Sequence, residues 1–128
     1  MRFGVYIYVD GYDLHDVAVS IKRRLDEIAT SFPQVRVIDD RFERTPDLHP
    51  DDLPTWNLGL NFGADRDSAG LTRGVLEQIR SLSRDSGRSF AVGYFDRVSK
   101  IDEDIGFIEP DTECGEIISV LESLTTNG

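Results

Sequence analysis

The chain has 128 residues, the size of one ordinary domain, and reads as a single domain over residues 1–128 with one core. Hydrophobic residues make up 39% and charged residues 30%, which excludes a disordered chain, and no stretch nears the roughly 20 apolar residues of a membrane span. The formal net charge is -10, which argues against nucleic acid, since phosphate backbones call for a basic stripe.

The opening run Phe3, Val5, Ile7, Val9 alternates with Gly4, Tyr6 and Tyr8, a period of two that predicts a strand rather than a signal peptide. From Asp13 the period changes. Leu14, Val17, Ile21, Leu25, Ile28 and Phe32 form one stripe at helical spacing, stopped by Pro33. Val35 and Val37 mark a short second strand over Gln34–Ile38, before the charged run Asp39-Asp40-Arg41, with an extension to Phe42 as the alternative. Pro46, Pro50 and Pro54 then predict a loop between Thr45 and Pro54.

Trp56, Leu58, Leu60 and Phe62 alternate with Asn57, Gly59, Asn61 and Gly63 as a third strand. Ser68 is placed to cap a second helix carrying Leu71, Val75, Leu76, Ile79 and Leu82, ending near Gly87. Phe90, Val92 and Tyr94 define a fourth strand. A short strand at Ile105–Ile108 and a last helix with Ile117, Ile118, Leu121 and Leu124 complete the chain. The order β-α-β-β-α-β predicts an α+β, ferredoxin-like antiparallel sheet with its first two helices on one face, plus the short C-terminal strand and helix. The opposite face would then show Gly4, Tyr6 and Tyr8 beside Asn57, Gly59, Asn61, Ala91, Gly93 and Phe95, with tyrosine rings laid across glycines or a partner entering the trough.

The residues needed for common enzyme chemistries are not grouped in the sequence. His15 and His49 read as surface residues, no nucleophile elbow occurs, and two histidines with one cysteine give no zinc spacing. No cofactor or metal is expected. The lone Cys114 cannot form an internal disulfide, so a cytoplasmic location is expected. Carboxylates are plentiful at strand ends, where Asp10, Asp13, Asp39, Asp40 and Asp96 could gather around Mg²⁺. The run Tyr8-Val9-Asp10-Gly11-Tyr12-Asp13-Leu14 resembles the opening of the NYN branch of PIN-type nucleases, which implies a Mg²⁺-dependent ribonuclease. Those nucleases have a parallel sheet and a late Ser-Gly-Asp-like step. Here the late strand ends Gly93-Tyr94-Phe95-Asp96, and two strands follow one another directly from Val37 to Trp56.

The stretch from Asp96 to Glu116 holds eight acidic residues against Arg97 and Lys100, and reads as a solvated loop or a surface awaiting cations. The run Phe90-Ala91-Val92-Gly93-Tyr94-Phe95-Asp96, leading to Glu103-Asp104-Ile105-Gly106-Phe107-Ile108 in a small acidic chain, resembles the immunity proteins of bacterial polymorphic toxin systems. The resemblance implies a non-catalytic protein that binds a cognate toxin domain and blocks its active site or channel. On charge and exposure, the residues expected to meet such a basic protein partner are Asp96, Asp102, Glu103 and Asp104 with Tyr94 and Phe95, and secondly Asp39 and Asp40. A ferredoxin-like small-ligand or regulatory module is the other non-enzymatic reading.

Overall fold

A computed structural model of the chain describes residues 2–10, 14, 16–41, 56–64 and 69–126. The expectations for Asp13, His15, the proline loop with His49, and the Ser68 cap lie outside the described residues.

Five strands, β1 (Phe3–Val9), β2 (Arg36–Arg41), β3 (Trp56–Ala64), β4 (Phe90–Asp96) and β5 (Ile101–Ile108), form one sheet in the order β2-β3-β1-β4-β5. All four pairings are antiparallel. Helices α1 (Ala18–Ser31), α2 (Ala69–Ser86) and α3 (Gly115–Thr126) complete the α+β fold. Among the described residues no helix is long and apolar enough to cross a membrane.

The alternation read from the sequence sets the layers. Phe3, Val5, Ile7 and Val9 are buried, as are Leu58, Leu60, Phe62, Phe90 and Val92. With Ile21, Leu25 and Ile28 of α1, Val75, Leu76, Ile79 and Leu82 of α2, and Ile117 and Leu121 of α3, most of them make one core between the sheet and the helices. The third helix therefore joins the first two on the same side.

Local chemistry explains the ends of the elements. Helix α1 begins at Ala18, later than the apolar stripe suggests. Leu14 is buried ahead of it, and its carbonyl accepts the Val17 and Ala18 amides at 3.1 and 2.8 Å. The stripe thus includes a core residue that is not helical. At the other end Phe32 donates its amide to the Ile28 carbonyl at 2.9 Å, and Pro33 follows. Helix α2 stops where Gly87 takes φ +70, the left-handed conformation expected after a helix. The Ser83 hydroxyl in its last turn donates to the Arg88 carbonyl at 2.7 Å and lies 3.4 Å from that of Ile108, linking α2 to β5.

The largest departure from expectation is β5. It begins at Ile101, so Asp102, Glu103 and Asp104 belong to a strand and not to a loop. The tight turn after Asp96, with Lys100 at φ 59 and its amide donating to the Asp96 carbonyl at 2.7 Å, folds the chain back along β4. Backbone hydrogen bonds to β4 then outweigh the weak strand preference of Asp and Glu. A register shift opposite Val92 and Gly93 leaves Ile105 as the extra residue, which lets Ile105 and Gly106 both lie toward the core side while Asp104 points to the other.

Candidate functional site: the open face and acidic edge of the sheet

Side chains of paired residues share a face, so the register assembles the side of the sheet away from the helices. Tyr6 stands between Asn61 of β3 and Gly93 of β4, and Tyr8 between Gly59 and Ala91. A Cβ on Gly93 would strike the Tyr6 phenol, and one on Gly59 would lie 2.7 Å from Tyr8 Cδ1. The rings therefore do lie across glycines. They stack on each other with centroids 5.5 Å apart at 19°.

Beyond the tyrosines the face hollows into an open trough of about 590 Å³. Arg36, Asn57, Asn61, Phe95, Arg97 and Asp102 surround it. Gly4 and Gly63, which face each other in the register, leave its floor without side chains. The Arg97 guanidinium passes 3.6 Å from where a Gly4 Cβ would stand. Sequence reasoning found the tyrosines and glycines but missed Arg36 and Arg97. Arg36 could have been placed from strand alternation, whereas Arg97 reaches the face from a turn.

On the β5 side the face becomes acidic. Asp102 pairs with Phe95 and Asp104 with Gly93, so both carboxylates stand on the tyrosine side, whereas Glu103 pairs with Tyr94 on the other. The Tyr6 hydroxyl donates to Asp104 Oδ1 at 2.5 Å and the Tyr94 hydroxyl to Glu103 Oε2 at 2.5 Å. Burial, then the bond to Asp104, pushes the Tyr6 phenol well above the usual tyrosine range. Burial also raises Tyr8, with the charges of Asp40 and Asp102 adding to it. The Glu103 hydrogen bond raises Tyr94. These phenols stay protonated, and those of Tyr6 and Tyr94 serve as donors. Asp102, Glu103 and Asp104 are exposed.

Other expected contact residues are placed differently. Asp96 is only 8% exposed, against the expectation of a surface charge. Arg2 Nε and Nη2 donate to its two oxygens at 3.1 Å each, and the Val98 amide donates to Oδ1 at 3.0 Å. The residue thus ties the start of β1 to the β4–β5 turn. No sequence signal joined Arg2 to Asp96, because the Phe3–Asp96 register comes from the sheet. Tyr94 is half-buried on the helix side, its ring edge-on to Phe3 at 6.0 Å, while Phe95 is half-buried along the trough. Asp39 and Asp40 do not make one patch. Neighbours in a strand point to opposite faces. Asp39 meets Lys22 of α1 at 3.3 Å on the helix side, and Asp40 lies on the tyrosine side.

The strand-end carboxylates do not converge either. Asp10 follows Val9, which pairs with Phe90, whereas Asp96 pairs with Phe3 at the far end of β1, about 20 Å away at some 3.3 Å per residue. Among the described residues no three His, Cys, Asp or Glu side chains form a metal-ligand group. Cys114 is buried, and that burial pushes its thiol pKa up. Comparison with protein-family models, with curated proteins and with solved structures finds no match to this chain.

The Asp96 pair predicts a pH effect. The Arg2 hydrogen bonds, ahead of the Val98 amide, hold the Asp96 carboxyl well below the usual carboxylate range, against an opposing effect of burial. The unfolded chain therefore takes up this proton first as pH falls. The pair contributes stability above the ordinary Asp value and loses it progressively below that, down to the lowered folded value. Asp96→Asn is expected to be less stable than wild type at pH 7 and to lose less on acidification. Urea midpoints at pH 7 and pH 3 check this; equal losses by both proteins would remove the pair from acid unfolding.

Proposed function

We propose that the chain is a non-catalytic immunity-type protein that neutralises a cognate basic toxin domain by binding it along β5 and the adjoining open face. The supporting observation is that Asp102, Glu103 and Asp104 are exposed on the last strand of the sheet, with Asp102 and Asp104 beside the tyrosines. Carboxylates held by a strand keep fixed spacings, so they can match a set of cationic groups as well as attract them. Asp96 leaves the contact set; Phe95 and Asp40 stay, on the same side of the sheet. The finer fold reading is a ferredoxin-like unit made by β2-β3-β1-β4, extended at one side by β5. Its site of action is the cytoplasm.

The test removes charge while keeping hydrogen-bond acceptors for Tyr6 and Tyr94. Asp102→Asn, Glu103→Gln and Asp104→Asn together should change stability by no more than about 0.5 kcal/mol per site. Association with the cognate basic toxin domain should slow about tenfold at low salt, with the difference shrinking as salt screens it. Stopped-flow rates at two ionic strengths read this directly. An unchanged rate at low salt, or undiminished protection of cells from the toxin, would remove the acidic strand from the contact.

A nuclease reading calls for a parallel sheet, and every pairing here is antiparallel. Its direct check is labelled RNA with Mg²⁺ or Mn²⁺, where cleavage abolished by Asp10→Asn would establish it. The trough favours one second reading, a small-ligand module, because its volume falls in the range of small-molecule sites. A metabolite that raises the melting temperature of wild type, but not of Asn61→Leu, would support that reading.

A further inference from the structure

Resting on the proposed basic partner, we infer that the outer edge of β5, with the groove behind it, takes an added strand from that partner. The strand is an extended segment in which lysine or arginine alternates with apolar residues. β5 ends the sheet, and among the described residues no strand lies beyond it. An edge strand presents a row of backbone N–H and C=O groups along its outer side, and a peptide can add to them as another strand.

The side chains indicate what would lie there. Ile101 is 59% and Phe107 50% exposed on this strand, and Val120 of α3 is 40% exposed. Ile105, Phe107, Ile117 and Val120 line a groove of about 280 Å³ between β5 and α3. Ile105, Ile117 and Val120 meet on the helix side of the strand, as does Ile101 opposite Asp96, whereas Phe107, opposite Ala91, reaches the rim of the groove from the tyrosine side. Asp102 and Asp104 flank the same edge on the tyrosine side, Glu103 on the other, and Glu116 borders the groove. An incoming strand alternates its side chains between the two faces, so cations can meet the carboxylates while apolar residues enter the groove.

The charge selects among occupants. A second copy pairing through β5 would set one acidic triplet against another, and like charges across strands are destabilising. The carboxylates and the bulge at Ile105 blunt the edge against such self-association. Blunting alone does not account for the apolar groove of Ile105, Ile117 and Val120 behind the edge. A basic strand uses both features.

The experiment titrates the full chain with a short peptide alternating Lys and Val, and follows backbone amides by NMR and hydrogen exchange. Exchange should slow across 101–104. Binding should weaken about tenfold at low salt in the Asn-Gln-Asn triple variant. The same peptide N-methylated at every residue, which keeps its charge but loses its backbone donors along both edges, should fail to protect these amides. If the methylated peptide binds equally well, strand addition is overturned while an acidic contact surface stands. If the triple variant binds as tightly as wild type, the acidic-surface reading falls too. A wild-type chain that dimerises, with protection of the same amides, makes a second copy the occupant and overturns the inference.

Discussion

Gly59→Ala is expected to lose about 3 kcal/mol of stability, a large share of the roughly 5–15 kcal/mol that holds a domain together. A Cβ at this position would collide with the Ile7 carbonyl oxygen and crowd Tyr8 Cδ1 at 2.7 Å. The first of these is backbone in the central strand, paired on both sides by β3 and β4, so it cannot give way without opening the β1–β3 ladder. Gly4→Ala is the matched control. Its nearest neighbour is the Arg97 guanidinium at 3.6 Å, an ordinary contact made by the mobile end of a side chain. Thermal melts should separate the two by about 10 °C. Melting temperatures within about 2 °C of each other would show that β1 and β3 do not pack this closely.

Phe90→Ala should have an effect of similar size by the opposite route, a cavity in place of a clash. Phe90 is fully buried, paired with Val9 on one side and Ile108 on the other. Removing a buried phenylalanine side chain costs about 3–5 kcal/mol. Its position extends the loss to the proposed contact strand. Phe90 and Ile108 secure the C-terminal end of β5 in the core shared with α2, whose Ser83 hydroxyl also lies near the Ile108 carbonyl. The variant should therefore loosen the strand that displays Asp102, Glu103 and Asp104, and weaken binding of the proposed basic partner although Phe90 is inaccessible. Native-state hydrogen exchange should rise more in β5 than in the β2–β3 pair. Equal acceleration in both would mean that β5 has no separate dependence on this residue.

The Phe90 variant bears on how an acidic strand stays attached to the sheet. Like charges on consecutive residues favour an extended, solvated chain. Opposing that are the β4 backbone, the Phe90–Ile108 pair, and tyrosine hydroxyls that donate to Asp104 and Glu103. The result is a charged surface with a defined shape, which an acidic loop would not provide.

Much of the layout was legible as periodicity. Alternation in Phe3–Val9 and Trp56–Phe62 identified the strands and their buried sides, and the spacing of Leu71, Val75, Leu76, Ile79 and Leu82 identified α2. The tyrosine–glycine arrangement was legible for the same reason, since side chains at i and i+2 must share a face. The division of Asp39 from Asp40 was available too. Alternation along β2, which runs to Arg41, puts the two on opposite faces.

Pairing and register were not legible. That Asp96 would meet Arg2, that the acidic triplet would extend β4, and that Arg36 and Arg97 would border one trough all depend on which strand lies beside which. Sequence by itself determined which residues turn inward, because burial acts on each residue through a local period of two or of about 3.6. Assembly of the sheet settled the partners, because hydrogen bonds between strands are made by backbone groups that every residue carries alike. Their register emerges only when the whole core packs, and it moved Asp96 from the expected contact surface into an ion pair while leaving Asp102, Glu103 and Asp104 outside.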